Sequence, residues 1–187
     1  VPGALLSMTV SSLLNHLIKD IGMAQPSAIL QTMHQEFGAA LHQENPEAQQ
    51  DGVEISLLKI TPQLITFCGA GLNLLYYDPQ SQILNQIWGD RYGLGGLRRH
   101  RELELTEHNL PYTADLLLYL YTDGITDQPD PDSEKIRRLG NALWLQLVSE
   151  LASLPITEQK TLLEERVKAM LNFYEQRDDI TIVGLQL

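Results

Sequence analysis

Residues 115–122, DLLLYLYT, form the most apolar run in the chain and limit its fold more than any other segment. The run has ordinary strand length, and its leucines and tyrosines favour a central, buried strand over a surface helix. A central strand needs neighbours on both edges, and the sequence offers them. Residues 53–60 alternate, and Pro62-Gln63 predicts a turn into a second strand at 64–68. Residues 73–77 and 82–88 flank Asp78-Pro79-Gln80-Ser81, whose residue types predict another hairpin turn. A glycine-bearing loop follows at 89–96, and alternation resumes at 102–105.

Helical periods lie outside this block. Leu5, Leu6, Val10, Leu13, Leu14, Leu17 and Ile18 predict a helix over 3–21, with Gly22 as its stop. Ile29, Leu30, Met33, Phe37 and Leu41 share one face of a second helix that follows Pro26-Ser27, and 45–52 reads as a polar loop. Ile136, Leu139, Leu143, Leu147 and Leu151 make a stripe over 134–154, and Thr157 opens a further helix to about Phe173. A strand at 180–187 closes the chain. Two helices, about six antiparallel strands, two helices and one strand predict an α+β fold in which helices cover a mainly antiparallel sheet or pair of sheets.

A net charge of −11 excludes a general binder of nucleic acid or anionic membrane, because either partner needs a basic face. No apolar stretch reaches membrane-spanning length, so no membrane insertion by this segment is expected. The single cysteine, Cys68, sits in an apolar run and reads as a buried small hydrophobe. One cysteine makes no internal disulfide, which predicts a reducing, cytoplasmic setting. The chain starts at Val1-Pro2-Gly3-Ala4 without an initiator methionine, and it is expected to be part of a longer polypeptide.

Acidic residues gather next to strands. Asp123 follows the apolar run directly, and Gly124 allows an immediate turn. A carboxylate at the mouth of a rigid strand is well placed to ligate a hard cation such as Mg²⁺ or Mn²⁺. Asp178 and Asp179 precede the last strand, and Thr181 can hydrogen-bond a carboxylate or nearby backbone. If the two strands are neighbours, Asp123 and Asp178 converge. Each dipeptide alone is also a common turn or solvated loop, so their order and flanks carry the weight.

TDGITDQ (122–128), QRDDITIVGL (176–185) and VPGALLSM (1–8), with DGVEISLLKI, FCGAGLNLLYY and GDRYGLGG between them, together resemble the bacterial SpoIIE-like branch of the metal-dependent (PPM) serine/threonine protein phosphatases. The resemblance covers essentially the whole chain, 1–187, as one domain. It implies an antiparallel β-sandwich flanked by helices and a two-ion centre of Mn²⁺ or Mg²⁺ at one edge. There the ions would activate a water toward phosphoserine or phosphothreonine. It assigns Asp123, Gly124 and Asp178 to the metal, and Asp179, Thr181 and Asp127 to the surrounding shell, with Asp178 and Asp179 able to exchange roles.

The family's Asp-x-x-Gly-His-Gly segment, which bridges the two ions, would lie just ahead of Val1. This chain is therefore expected to lack the bridging ligand and at least one N-terminal strand, and to be inactive by itself. The branch further implies a phosphorylated protein substrate of STAS type, an antagonist of an anti-sigma factor, and an upstream sensor or receiver domain. Two other functions remain open: a phosphatase-like module that binds a signalling partner without catalysis, and a metal-dependent hydrolase of small phosphoesters.

Other candidates carry less. His16, His34, His42, His100 and His108 show no metal-site spacing. The basic cluster Arg98-Arg99-His100-Arg101 reads as a solvated loop, and Gly93, Gly95 and Gly96 do not open a helix as a phosphate-binding loop does.

Overall fold

Residues 3–40, 52–96, 103–130 and 138–187 are described by the structure, a computed structural model, and they fall into two units with separate cores. The first unit comprises Val1–Leu72 and Trp88–Tyr112, the second Asn73–Ile87 and Thr113–Leu187. Sheets within the units are antiparallel and helices pack on them, so the α+β expectation is met.

In the first unit, α1 (Gly3–Asn15) continues as a turn of π-helix at His16–Asp20, a feature the helical period did not foretell. Gly22, at φ +80°, ends it as expected; this backbone angle suits glycine and lets the Met23 N–H reach the Leu17 carbonyl at 2.9 Å. Helix α2 (Pro26–Ala40) starts on proline, whose missing N–H costs nothing there. Ile29, Leu30, Met33 and Phe37 are buried as their spacing predicts; Leu41 and the loop at 45–51 lie outside the described residues.

The first turn of α2 is capped from far along the chain. The Ser27 N–H donates to Glu107 Oε1 at 2.9 Å, and Gln25 Nε2 approaches Oε2 at 3.4 Å. Burial pushes the Glu107 carboxyl up, but hydrogen bonds from Ser27 and Gln25, with the Lys59 charge, outweigh it and hold the group below its ordinary range. A depressed carboxyl stabilises the fold above its unfolded pKa, and that contribution is lost as pH falls through the folded value. Glu107→Gln should therefore melt below the wild type at pH 7, and the gap should close as pH falls through the lowered carboxyl. Thermal melts across that range check it; a gap that widens in acid would contradict the cap.

Strands β1 (Gly52–Val53), β2 (Ile55–Ile60) and β3 (Leu64–Ala70) follow, with the β2–β3 hairpin turning at Pro62-Gln63 as expected. After β4 (Leu74–Asp78) and β5 (Ile83–Ile87), which belong to the second unit, comes β6 (Leu94–Gly95), inside the glycine-bearing loop and paired with β1. The buried His34 of α2 accepts the Gly95 N–H at its Nδ1, 3.0 Å away. Of the strand expected at 102–105, the described residues 103–105 form none. Residues 103–107 run without a ladder because the Asp90 carboxylate takes the Thr106 N–H at 2.7 Å and its hydroxyl at 3.2 Å, while Leu105 is buried in the core. The strand forms later, as β7 (His108–Pro111), and completes the order β2-β3-β7. Leu17, Ile29, Leu30, Met33, Cys68, Ala70, Leu94 and Leu105 form this unit's core. Burial, then the Asp90 and Glu107 carboxylates, pushes the Cys68 thiol up to about 12, so it is a packed, unreactive group.

In the second unit the sheet order is β5-β4-β8-β9, with β8 (Leu117–Tyr121) central as the sequence predicts and β9 (Ile182–Gln186) beside it. The β4–β5 hairpin turns at Pro79-Gln80. Its turn is held by the Asp78 carboxylate, which accepts the Gln80 N–H and the Ser81 hydroxyl at 2.9 Å each. Three helices pack on this sheet: the short α3 (Gly124–Asp127), α4 (Gly140–Leu151) and α5 (Ile156–Phe173).

Two helical expectations need correction. Helix α4 starts at Gly140, not at 134, because Arg138 pairs with Pro129 in a bridge and Leu139 is not helical; its buried face carries Trp144 and Val148, whereas Leu143 is 40% exposed. The leucine stripe is borne out in part: Leu139 is buried and Leu147 packs on the core, but the deepest positions of the helix are Trp144 and Val148. Trp144, the largest side chain, sets the inward face by packing against Tyr121 at 5.3 Å between ring centroids. Thr157 is not the cap of α5. Pro155 precedes the helix, and its carbonyl accepts the N–H groups of Glu158 and Gln159, which places Thr157 inside the first turn. Tyr119 of β8 donates its hydroxyl to Gln159 Oε1 at 2.8 Å, joining the central strand to α5 within the core. No helix among the described residues is long and apolar enough to cross a membrane.

Candidate metal centre

The site is built where β8 and β9 end. Their ladder runs from Leu117↔Gln186 to Tyr121↔Ile182, and one step beyond it the Thr122 N–H still donates to the Thr181 carbonyl at 3.0 Å. Two further steps of the same register set Gly124 against Asp179. There the backbones nearly touch: a Cβ on Gly124 would lie 2.3 Å from the Asp179 carbonyl oxygen. Glycine is needed at this position for close approach. Gly124→Ala should push the Asp178-Asp179 turn away and cost about 1–3 kcal/mol. A thermal melt matching the wild type would contradict this contact.

At Asp123 the chain leaves the strand and winds into α3. The Asp123 carbonyl accepts the Asp127 N–H and the Thr126 hydroxyl, both at 2.9 Å. Partial burial, then the Asp178 and Asp127 carboxylates, raises the Asp123 carboxyl above its usual range. Its own amide and that of Gly124 pull in the opposite direction and lose. Asp178 directs a carboxylate oxygen onto the Asp179 N–H at 2.7 Å, and its carbonyl accepts from Gln176 Nε2 at 2.9 Å. Asp127 is engaged by Arg138 at 2.9 Å, on the solvent-facing side.

Of the residues singled out from sequence, Asp123, Asp127 and Asp178 thus come within electrostatic reach of one another. Gly124 and Asp179 meet through backbone, and Thr181 contributes its N–H and C=O. The hydroxyl that ties the two strands together belongs to Thr122. Its Oγ1 donates to the Asp179 carbonyl and accepts the Thr181 N–H, each at 2.9 Å. Thr122 and Gln176 stood inside the quoted motif blocks, a usable signal; Arg138 had none.

Two strand-end carboxylates in mutual repulsion suit a hard divalent cation, which would relieve the repulsion and accept oxygen donors. They make part of a ligand set: among the described residues no three His, Cys, Asp or Glu side chains gather as a group able to hold a metal ion.

Solved structures share the fold. The SiaA-PP2C domain of Pseudomonas aeruginosa superimposes with a TM-score of 0.81 at 24% identity, covering 100% of this chain and 71% of that one. The catalytic domain of the serine/threonine protein phosphatase PstP, in complex with two manganese ions, gives 0.63 at 17% identity, covering 97% and 80%. The phosphatase domain of SpoIIE from Bacillus subtilis gives 0.52 at 14% identity, covering 96% and 73%. No curated protein sequence matches the chain. The model of the family Stage II sporulation protein E (SpoIIE) matches residues 1–187. Because that match spans the whole chain, the chain belongs to the Stage II sporulation protein E (SpoIIE) family, with the fold of the phosphatase domains named above.

Proposed function

We propose that this chain forms part of a metal-dependent protein phosphatase that removes phosphate from serine or threonine of a phosphorylated regulatory protein. The observation that carries the reading is that Asp123 and Asp178 follow and precede paired strands within electrostatic reach of each other, with the Asp123 carboxyl raised by burial and by its acidic neighbours. Asp123 and Asp178 would hold Mn²⁺ or Mg²⁺ through carboxylate oxygens. The chemistry such ions supply when bound is Lewis acidity toward water and phosphoryl oxygens.

The chain's own residues do the placing. The Asp179 N–H holds the Asp178 carboxylate in one orientation, and the Gly124 amide does the same for Asp123. Arg138 holds Asp127 beside them. The bridging carboxylate expected from an Asp-x-x-Gly-His-Gly segment ahead of Val1 would complete the donor set. The substrate we propose is a phosphorylated STAS-type protein, with an attached sensor or receiver domain as the input; both rest on the family likeness.

The test is turnover with Mn²⁺ in a polypeptide carrying this chain and that upstream segment. Substrates are a phosphorylated STAS-domain protein and a small aryl phosphate. Strong preference for the phosphoprotein supports the proposal. Equal or better turnover of the aryl phosphate would point to a small-phosphoester hydrolase. Stable capture of the phosphoprotein without turnover would point to a binding module.

A further inference from the structure

We infer that Thr122 is a positioning residue for the candidate metal centre, and that its hydroxyl, rather than the sheet ladder, sets the separation of Asp123 and Asp178. The inference rests on the metal-site reading above. In an antiparallel ladder every second facing pair exchanges two backbone bonds, and Thr122 and Thr181 stand at such a position. Thr122 and Thr181 exchange only one, from the Thr122 N–H to the Thr181 carbonyl at 3.0 Å. The second is replaced: the Thr181 N–H donates to Thr122 Oγ1 at 2.9 Å.

The cause is the turn into α3. Once the chain bends at Asp123 to make Gly124–Asp127 helical, Gly124 still lies against the Asp179 backbone, but the regular ladder of backbone bonds stops at Tyr121↔Ile182. The Asp179 carbonyl and the Thr181 N–H would both lose ladder partners. A single hydroxyl, donor and acceptor at once, serves both, because Oγ1 also donates to the Asp179 carbonyl at 2.9 Å.

The consequence is mechanical. Asp123 follows Thr122 directly, and Asp178 directly precedes Asp179, whose carbonyl the hydroxyl grips. The Asp178 carboxylate is in turn fixed by the Asp179 N–H at 2.7 Å. One oxygen atom therefore couples both candidate ligands to a common anchor. Valine matches threonine in shape but offers neither function, whereas serine keeps both.

The experiment compares wild type, Thr122→Val and Thr122→Ser in this chain by ¹⁵N NMR. Three quantities are read: protection of the Thr181 amide from exchange, backbone order over 178–181, and Mn²⁺-induced broadening of the Gly124 and Asp179 amides. Expected for Thr122→Val is loss of Thr181 protection, order parameters at 178–181 falling below about 0.6, and Mn²⁺ affinity reduced about 10–100-fold. Protection within β8 and β9 should persist, and Thr122→Ser should restore all three quantities. Unchanged order at 178–181 in Thr122→Val overturns the inference, as does affinity within twofold of wild type. If the wild-type chain shows no Mn²⁺ broadening at Gly124 and Asp179, the metal reading fails on its own. The order of 178–181 then still decides the role of Thr122, its loss supporting that role and its retention refuting it.

Discussion

Asp123→Asn and Asp178→Asn are each expected to lower Mn²⁺-dependent phosphatase turnover by at least ~10²-fold while leaving the melting temperature equal to or slightly above that of the wild type. Loss of a group merely supporting a ligand already costs about 10–100-fold in affinity or activity, and loss of the ligand itself should cost no less. The stability half follows from the electrostatics. The Asp123 carboxyl is raised in part by Asp178 and Asp127, so the three like charges oppose folding when no cation offsets them. Asparagine keeps the shape and removes one charge. An unchanged or higher melting temperature together with lost turnover is the mark of a functional site held at a cost in stability. Activity measured in the polypeptide that includes the upstream segment, alongside thermal melts, checks both halves. Near wild-type turnover in either variant would defeat the ligand assignment, and a large drop in melting temperature would recast that carboxylate as structural.

The second large effect lies in the sheet. Leu118→Asp should abolish cooperative folding of the second unit. Leu118 is 1% exposed on the central strand, facing Tyr76 of β4 and Leu185 of β9 across the ladder. A carboxylate there has no solvent, and its effective burial penalty of several kcal/mol rivals the whole stability of about 5–15 kcal/mol of a typical domain. Leu118→Ala separates charge from lost packing: it should cost about 2–5 kcal/mol and still melt cooperatively. Val183→Asp is the surface control, because Val183 on β9 is 42% exposed and should accept a charge with little loss. Circular dichroism melts of the three variants suffice. A normal transition in Leu118→Asp would mean that β8 is not central.

Much of this architecture was legible before any coordinates. DLLLYLYT announced β8 because a strand covered on both faces needs no polar alternation, and the hairpins at Pro62 and Pro79 followed from turn chemistry. Misreadings came where a local pattern met a non-local competitor. Alternation at 102–105 lost to the Asp90 carboxylate, which ties down Thr106. The leucine stripe at α4 was only part of the inward face: Leu139 and Leu147 pack on the core, but the bulk of Trp144 sets the deepest position and leaves Leu143 outside. The cap of α2 comes from Glu107, 80 residues away from Ser27, where no window of sequence could place it.

By itself the sequence determined the kinds of element and the chemistry available at their ends: an apolar strand stopping at Asp123-Gly124, and an acidic pair before the last strand. Those are local properties, carried by residue type and short spacing. Only the tertiary structure decided that β8 and β9 are neighbours and in what register. Register is chosen by the burial of whole strand faces, so it cannot be read from either strand alone. That register is what brings Gly124 onto the Asp179 backbone and hands the hydroxyl of Thr122 to the turn that carries Asp178.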